Sequence, residues 1–292
     1  FRLFCTNGLL LRDGKLCEFC LSKKQGDYYK FILNALKYKC YRGSVFYSLP
    51  VALNQTFHWS KGTFTNVVDR YITLTEYAKN KFIEAGIPQN KIFVKPNFLI
   101  TSHEPNYTHK NYTVFVGRLS YEKGVDILIN AIAYLNQTLK TDSFYFKIVG
   151  DGPLRKTLEE KTKSLSLKNI EFMGHKDHSS VMEIIRNSKF LIIPSRWLET
   201  FGMVALESFS NGKPVIATKI GALSEIIENG KTGFLFELEN VEDLALKIKE
   251  LIESDDMCVN MGKKAREVYE LKYTPEANYK MLMNIYTKLI RG

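Results

Sequence analysis

The sequence lacks several features that would each indicate a particular class of protein. It has no apolar run of the roughly 18 residues that a transmembrane helix needs. No signal-peptide pattern follows Phe1. It contains no C2H2 zinc finger, aromatic-rich RNA-binding motif or long arginine tract, so we expect no nucleic-acid partner. The absence of any D-x-D triplet argues against a Mg²⁺ site built on such a pair.

What is present is an ordinary globular composition with a surplus of positive charge. The chain has 292 residues, 45% apolar and 25% charged, which is enough for a buried core and for about two domains. The net charge of +10 favours anionic partners, such as phosphates or an acidic membrane surface. Because the first residue is Phe1 rather than Met, we expect a fragment whose true start is missing.

Four of the five cysteines lie within the first 40 residues: Cys5, Cys17, Cys20 and Cys40. Their spacing, C-x11-C-x2-C-x19-C, is similar to zinc-binding patterns, in which thiolates surround a tetrahedral Zn²⁺. Four reduced cysteines in a packed segment are an equally good interpretation, because a standard site has two C-x-x-C pairs and this chain has one. The sequence thus predicts a candidate structural zinc site and leaves its alternative open.

Short apolar strands alternate with helices along most of the chain, which is typical of an α/β protein with a parallel, doubly wound sheet. A polar stretch at 101–111 is the candidate linker between two such domains. We expect Thr75 to cap a helix that Gly86 ends. The predicted strands are 69–74, 92–95, 113–116, 145–149, 170–173, 190–193, 215–217 and 233–236.

The loop after the first strand of the second domain, GRLSYEKG at 117–124, carries two cations. Gly117 permits a tight turn, and Arg118 and Lys123 follow it. Ligands bind at the carboxyl ends of the strands in such folds, and a diphosphate needs cations when no metal is present. The sequence predicts a diphosphate site here, with two ordinary surface cations as the alternative.

A second loop, at 194–202, leads into a helix and holds two carboxylates, Glu199 and Glu207, with seven residues between them. A mostly helical span would separate them by about 12 Å, too far for an acid–base pair of a glycoside hydrolase. They are suited instead to hydroxyls at opposite ends of a long ligand, with backbone N–H groups facing an anion between them. Gly202 allows the close approach of a phosphate. A nucleotide-sugar fits this pattern.

Other loops give weaker signals. Gly174 and Lys176 follow a strand at the same edge and are candidates to flank a base. His175 and His178 have no cysteine or carboxylate pattern beside them, so we expect exposed loop histidines rather than metal ligands.

Four segments, in the same order along the chain, resemble the C-terminal half of the group 1 glycosyltransferases, family 4 in the sequence classification. They are GRLSYEKG, GDGPLRKTLEE, PSRWLETFGMVALES and GKPVIATKIGALSEII. The pair of Glu199 and Glu207 matches the E-x7-E signature of that family, and the resemblance covers about residues 67–290. The cysteine-rich start resembles one subgroup of these enzymes.

The resemblance implies a GT-B fold with two Rossmann-like doubly wound domains, the first incomplete, and transfer with retention of configuration without a divalent metal or other cofactor. It implies that Arg118 and Lys123 neutralise the leaving diphosphate and that Glu199 holds donor sugar hydroxyls; these three are the candidate catalytic residues. The expected donor-binding residues are Gly117, Gly174, Lys176, Phe201, Gly202, Met203, Val204 and Glu207.

The resemblance also sets the expected domains and function. We expect an acceptor-side domain at 1–100, a donor domain at 101–272, and a last helix at 273–292 that packs on the first domain. The function is then sugar transfer from a nucleotide-sugar to a glycan or lipid-linked acceptor, for cell-surface polysaccharide, in the cytoplasm or at the inner face of the membrane. The alternatives are a GT-B epimerase, a glycogen-type synthase or a non-catalytic nucleotide-binding remnant. Family members carry an earlier acceptor-side segment, so we expect the 292-residue chain to bind donor and turn over poorly.

Overall fold

The computed structural model describes residues 1–12, 15–21, 28–101, 103–139 and 143–291. These residues form two compact units, 1–95 and 96–292. Among the described residues, no helix has the length and apolar character to cross a lipid bilayer.

The first unit pairs short strands with helices. Its aromatic core is centred on Trp59, whose Nε1 donates to the carbonyl of Leu3 at 2.7 Å and whose ring stacks on Tyr28. The elements in chain order are β1 (Leu11–Arg12), β2 (Lys15–Leu16), α1 (Tyr29–Tyr38), α2 (Val45–Ser60), β3 (Tyr71–Thr73), α3 (Glu76–Glu84) and β4 (Ile92–Val94).

The α3 region agrees with the sequence prediction. Thr75 caps the helix, because its side chain accepts a hydrogen bond from the N–H of Ala78 at 3.1 Å. Gly86 follows the helix with φ of +102°, a conformation that glycine adopts without strain. Strand β3 then pairs in parallel with β4, as a β–α–β connection requires.

The second unit contains a six-stranded parallel sheet in the order β10-β9-β8-β5-β6-β7, the doubly wound order of a Rossmann fold. Its elements are β5 (Tyr112–Val116), α4 (Val125–Leu139), β6 (Tyr145–Val149), α5 (Arg155–Ser164), β7 (Ile170–Gly174), α6 (His178–Asn187), β8 (Leu191–Ile193), α7 (Met203–Ser210), β9 (Val215–Thr218), α8 (Leu223–Ile226), β10 (Gly233–Phe236), α9 (Val241–Glu253), α10 (Asp255–Lys272) and α11 (Pro275–Arg291).

The core of this unit lies between the sheet and its covering helices. Apolar side chains of α4, such as Ile129 and Ile132, join those of α9, such as Ile248, in one fully buried cluster with the strands. The strands have near-continuous apolar runs because helices cover both faces of the sheet. All six predicted strands are present, and their bounds differ by at most one residue at an end.

The segment 103–111 belongs to the second unit instead of forming a free connection. The N–H of Asn106 donates to the carbonyl of Asn211 at 3.0 Å, and the N–H of Lys110 donates to that of Asn187 at 2.9 Å. Lys213 Nζ donates to the carbonyl of Thr108 at 2.6 Å. The segment whose polar composition indicated a linker is therefore fixed to the second unit through its backbone groups.

Candidate donor site at the carboxyl edge of the sheet

The chain reverses its winding direction between β5 and β8, which are neighbours in the sheet. Such a switch point leaves a crevice at the carboxyl ends of the two strands, because the loops that follow them diverge. The loop after β5 carries Lys123, and the loop after β8 carries Glu199. The topology therefore brings together the two loops that the sequence singled out.

A cavity of about 280 Å³ opens at this point. Its lining includes Lys123, Ser195 and Glu199 together with residues 201–204. The side chains of Lys123 and Glu199 are 29% and 17% exposed, so both are partly withdrawn from water. Of the predicted site residues, the structure gathers Lys123, Glu199 and the start of α7 around one space.

An ion pair joins the two loops directly. Lys123 Nζ lies 2.5 Å from Glu199 Oε1, and Ser195 Oγ donates to the same oxygen at 3.0 Å. A charge-assisted hydrogen bond of this kind fixes the carboxylate more firmly than a neutral one. Since an ammonium has three N–H donors, Lys123 has further donors to offer an anionic ligand.

The amino end of α7 also borders the cavity. Gly202, at φ of +89°, precedes Met203 and Val204, the first residues of the helix. The first N–H groups of a helix have no acceptor within it and favour a negative charge nearby. The ring of Phe201 is 3% exposed and packs edge-on against Tyr273, which anchors the loop just before the helix.

Glu207 lies on α7 beyond these N–H groups. Its side chain is 13% exposed, and burial raises the pKa of the carboxyl, while His178 opposes that rise. The distance from Glu207 Oε1 to His178 Nδ1 is 3.8 Å. His178 is the first residue of α6 and largely exposed, and the sequence prediction assigned it no role beyond an exposed loop histidine.

The span between the two glutamates is helical only in part. The helix begins at Met203, because Gly202 is in a left-handed conformation, so residues 199–202 form a loop. The separation of about 12 Å that assumes continuous helix therefore does not apply to this span.

The other predicted residues lie along the same edge, and none is in the described lining of the cavity. Arg118 is exposed, directly after Gly117, whose N–H donates to the carbonyl of Val149 at 3.0 Å. Gly174 ends β7 with φ of +69°, and Lys176 is exposed two residues later. These residues border neighbouring strands, where a ligand longer than the cavity would extend.

Sequence reasoning did not single out Arg196, whose side chain joins several segments around the cavity. Its Nη1 and Nη2 donate to Asp126 at 2.6 and 2.7 Å, and its Nε and Nη2 donate to Glu239 at 2.5 and 3.2 Å. Nη1 also donates to the carbonyl of Tyr121 at 3.0 Å, and the guanidinium lies over the ring of Tyr121. Burial lowers the pKa of Arg196, but the bonds to the two carboxylates outweigh it, and the net shift is upward.

The four N-terminal cysteines line a separate cavity of about 280 Å³ in the first unit. Cys5 donates to Asn7 Oδ1 at 3.0 Å, and Cys40 to the carbonyl of Asn34 at 3.6 Å. Burial, with the neighbouring cysteines, raises the pKa of Cys20 to about 12. Within the described ranges, no three His, Cys, Asp or Glu side chains are arranged to hold a metal. The zinc site stays a prediction from spacing, which stoichiometric zinc in the purified chain would support.

Comparison with known proteins identifies the family. The family model for glycosyl transferases group 1 matches residues 100–268, more than half of the chain. This chain belongs to the group 1 glycosyltransferases. An uncharacterized glycosyltransferase of Methanocaldococcus jannaschii is 36% identical over 223 residues, which are 76% of this chain and 60% of the relative.

Solved structures of glycosyltransferases share the fold of this group 1 chain. A variant of S. aureus TarM, solved with fondaparinux, α-GlcNAc-glycerol and UDP, has a TM-score of 0.69 at 23% identity, over 80% of this chain and 46% of TarM. Anabaena HepE, solved with UDP and glucose, has a TM-score of 0.64 at 22% identity, over 83% of this chain and 66% of HepE. The GT-B fold class predicted from the sequence is confirmed. The chain spans 37–60% of the length of the first curated relatives.

Proposed function

We propose that this chain provides the donor-binding machinery of a glycosyltransferase that moves a sugar from a nucleotide-sugar to a glycan or lipid-linked acceptor. The observation that carries the proposal is the Lys123–Glu199 pair, in a cavity at the switch point and beside the amino end of α7. A cation, a carboxylate and helix N–H groups are the complement of a sugar attached to a diphosphate.

The proposed chemistry is cleavage of the bond between the anomeric carbon and the diphosphate oxygen. Its electron pair goes to the nucleoside diphosphate, and the acceptor oxygen forms a new bond to the anomeric carbon. The proton of the acceptor hydroxyl leaves with the diphosphate. Lys123, Arg118 and the first N–H groups of α7 stabilise the negative charge that develops on the leaving group, which lowers the barrier.

In this proposal the two glutamates bind different parts of the nucleotide-sugar donor. Glu199 accepts hydrogen bonds from sugar hydroxyls while Lys123 turns toward the diphosphate. Glu207 accepts hydrogen bonds from the ribose, and His178 lies beside it. A carboxylate is suited to both tasks, since each oxygen accepts bonds from neighbouring hydroxyls.

The finer features of the proposal come from the family resemblance: retention of configuration, independence from divalent metal and a role in cell-surface polysaccharide. The names of the solved neighbours support a uridine diphosphate donor and a glycan acceptor, because TarM and HepE were solved with UDP and carbohydrate. We also propose a cytoplasmic location, and the net charge of +10 supports peripheral contact with an anionic membrane surface. The relatives give no support to the epimerase alternative.

Calorimetric titration of the 292-residue chain tests the donor site. Nucleoside diphosphates with different bases are titrated in turn, and Lys123→Met is expected to weaken the best of them about tenfold. Lys231→Met is the matched control, since Lys231 is exposed and precedes β10 at the opposite edge. Equal affinity in Lys123→Met and the unaltered chain would contradict the site.

A product assay then separates the remaining functions. Sugar transfer from a nucleotide-sugar to added acceptor, undiminished by EDTA, supports a metal-independent transferase. Sugar isomerised without acceptor would indicate an epimerase. Tight nucleotide binding with no product from the full-length gene would indicate a non-catalytic remnant.

A further inference from the structure

The guanidinium of Arg196 has an acceptor for each of its five N–H groups. Two bonds go to Asp126, two to Glu239 and one to the carbonyl of Tyr121. The side chain is 5% exposed, so these bonds leave it no free donor with which to bind a ligand. Arg196 is therefore not a ligand-binding cation, although it lies in the loop that carries Glu199.

Three partners of Arg196 belong to the segment that carries Lys123, and the fourth, Glu239, lies between β10 and α9. Tyr121 and Glu122 immediately precede Lys123, and Asp126 follows it in the first turn of α4. Besides the side-chain bonds, the backbone N–H of Arg196 donates to the carbonyl of Glu122 at 2.9 Å. Arg196 thus holds the loop after β5 against the loop after β8 on both sides of Lys123.

We propose that Arg196 is a positioning residue that sets the distance between Lys123 and Glu199, and thereby aims the Lys123 ammonium at the donor diphosphate. This inference rests on the proposed function of the cavity. An ammonium placed even about 1 Å from its productive position loses much of its effect. Arg196 acts through Lys123, and the two residues therefore form one functional unit.

The geometry requires arginine and not merely a positive charge. Arg196→Lys retains the charge, but an ammonium has three N–H donors and cannot form the two paired bonds to Asp126 and Glu239. The loops would then remain electrostatically attracted while losing their fixed separation. Arg196→Lys is therefore the informative substitution, because it separates positioning from charge.

The test is a double-mutant cycle on the 292-residue chain, with calorimetric affinity for UDP, GDP, ADP, CDP or dTDP, whichever binds best. Arg196→Lys and Lys123→Met are each expected to weaken binding about tenfold relative to the unaltered chain. The double variant is expected to show the same total loss of about tenfold, and not the roughly hundredfold loss that independent effects would give. Lys189→Met is the matched control, because Lys189 is equally buried, pairs with Asp255, and lies at the other end of β8. It is expected to leave affinity unchanged.

Each result has a separate meaning. Multiplicative losses, near a hundredfold in the double variant, would overturn the positioning role and leave the donor site intact. An equal loss in Lys189→Met would also overturn it, since general loosening of the fold would then explain the effect. No effect of Lys123→Met would overturn the proposed function itself. If Arg196→Lys fails to fold in thermal melting, Glu239→Gln replaces it, and the same coupling to Lys123→Met is expected.

Discussion

The two ends of β8 each carry a buried cation, and the two cations have different partners. Lys189, before the strand, donates to the carbonyl of Ile252 at 2.7 Å and to Asp255 at 2.5 Å, at the junction of α9 and α10. Arg196, after the strand, joins two loops beside a cavity. Both side chains are 5% exposed. A buried cation therefore connects two helix ends at one edge of the sheet, and another connects the loops that border the cavity at the other edge.

The largest expected difference between the two edges concerns two glycines with similar φ angles, Gly124 and Gly230. Gly124, at the carboxyl edge, has φ of +65°, and a Cβ there would lie 1.9 Å from the carbonyl oxygen of Pro194. Gly230, at the amino edge, has φ of +78°, and a Cβ there would meet nothing within 4 Å. Gly124→Ala is expected to lower the free energy of unfolding by about 3 kcal/mol or more, and Gly230→Ala by about 1 kcal/mol.

Urea unfolding of both variants measures this difference. Equal losses of unfolding free energy in the two variants would mean that the close approach of Gly124 to the Pro194 carbonyl is not important for stability. The two edges of the sheet would then not differ in this respect.

The next effect concerns a buried lysine at the amino edge. Lys213 is 2% exposed, and burial lowers its pKa to about 8 from 10.5. Between these values Lys213 binds more protons in the unfolded chain than in the folded chain, so this residue makes stability rise with pH. The stability of the unaltered chain minus that of Lys213→Met is expected to rise by on the order of 2 kcal/mol between pH 8 and 10.5. The buried thiols of Cys20 and Cys258, whose pKa burial raises to about 12, act in the opposite direction in both proteins and cancel in this difference.

Unfolding free energies across this range, compared between the two proteins, check the prediction. Lys231→Met should follow the unaltered chain at every pH, because Lys231 is exposed. A stability difference between the unaltered chain and Lys213→Met that does not change with pH would contradict the prediction.

The smallest expected effect is on ligand affinity at the carboxyl edge. Glu207→Gln keeps the shape of the side chain and removes its charge, and is expected to weaken nucleoside diphosphate binding about tenfold. Glu183→Gln is a control on the exposed surface of α6, where no change is expected. Calorimetry measures both, and an unchanged affinity in Glu207→Gln would remove the ribose contact from the site.

In the second unit the sequence was sufficient to predict the order of strands and helices and the convergence of two loops, whereas β1, β2 and α1 of the first unit were not predicted. Apolar periodicity and turn residues predict local structure. The rule that ligands bind at the carboxyl ends of parallel strands then indicated which loops lie together at the candidate site. The pairing of Lys123 with Glu199 follows from β5 and β8 being neighbours. Thr75 was recognisable as a cap because capping is a local interaction.

The buried cations could not be predicted in the same way. Arg196 contacts Asp126, which is 70 residues away in the chain, and no local pattern marks such a pair. Lys213 likewise bonds to a carbonyl 105 residues away. The sequence has 41 lysines and arginines, and residue type does not distinguish the few that are buried from the many that are exposed. The periodicity of apolar residues predicts which apolar side chains are buried, but it does not predict the burial of charged ones.

The junction between β5 and β8 has a consequence for hydrogen exchange. These strands share the register pair Val114 and Leu191, whereas β5 and β6 share five pairs, from Tyr112 with Tyr145 to Val116 with Val149. The ladder between the two halves of the sheet is thus short, and the backbone amides that pair β5 with β8 are expected to exchange faster than those that pair β5 with β6. A nucleotide bound across this junction would contact loops from both halves and would slow that exchange.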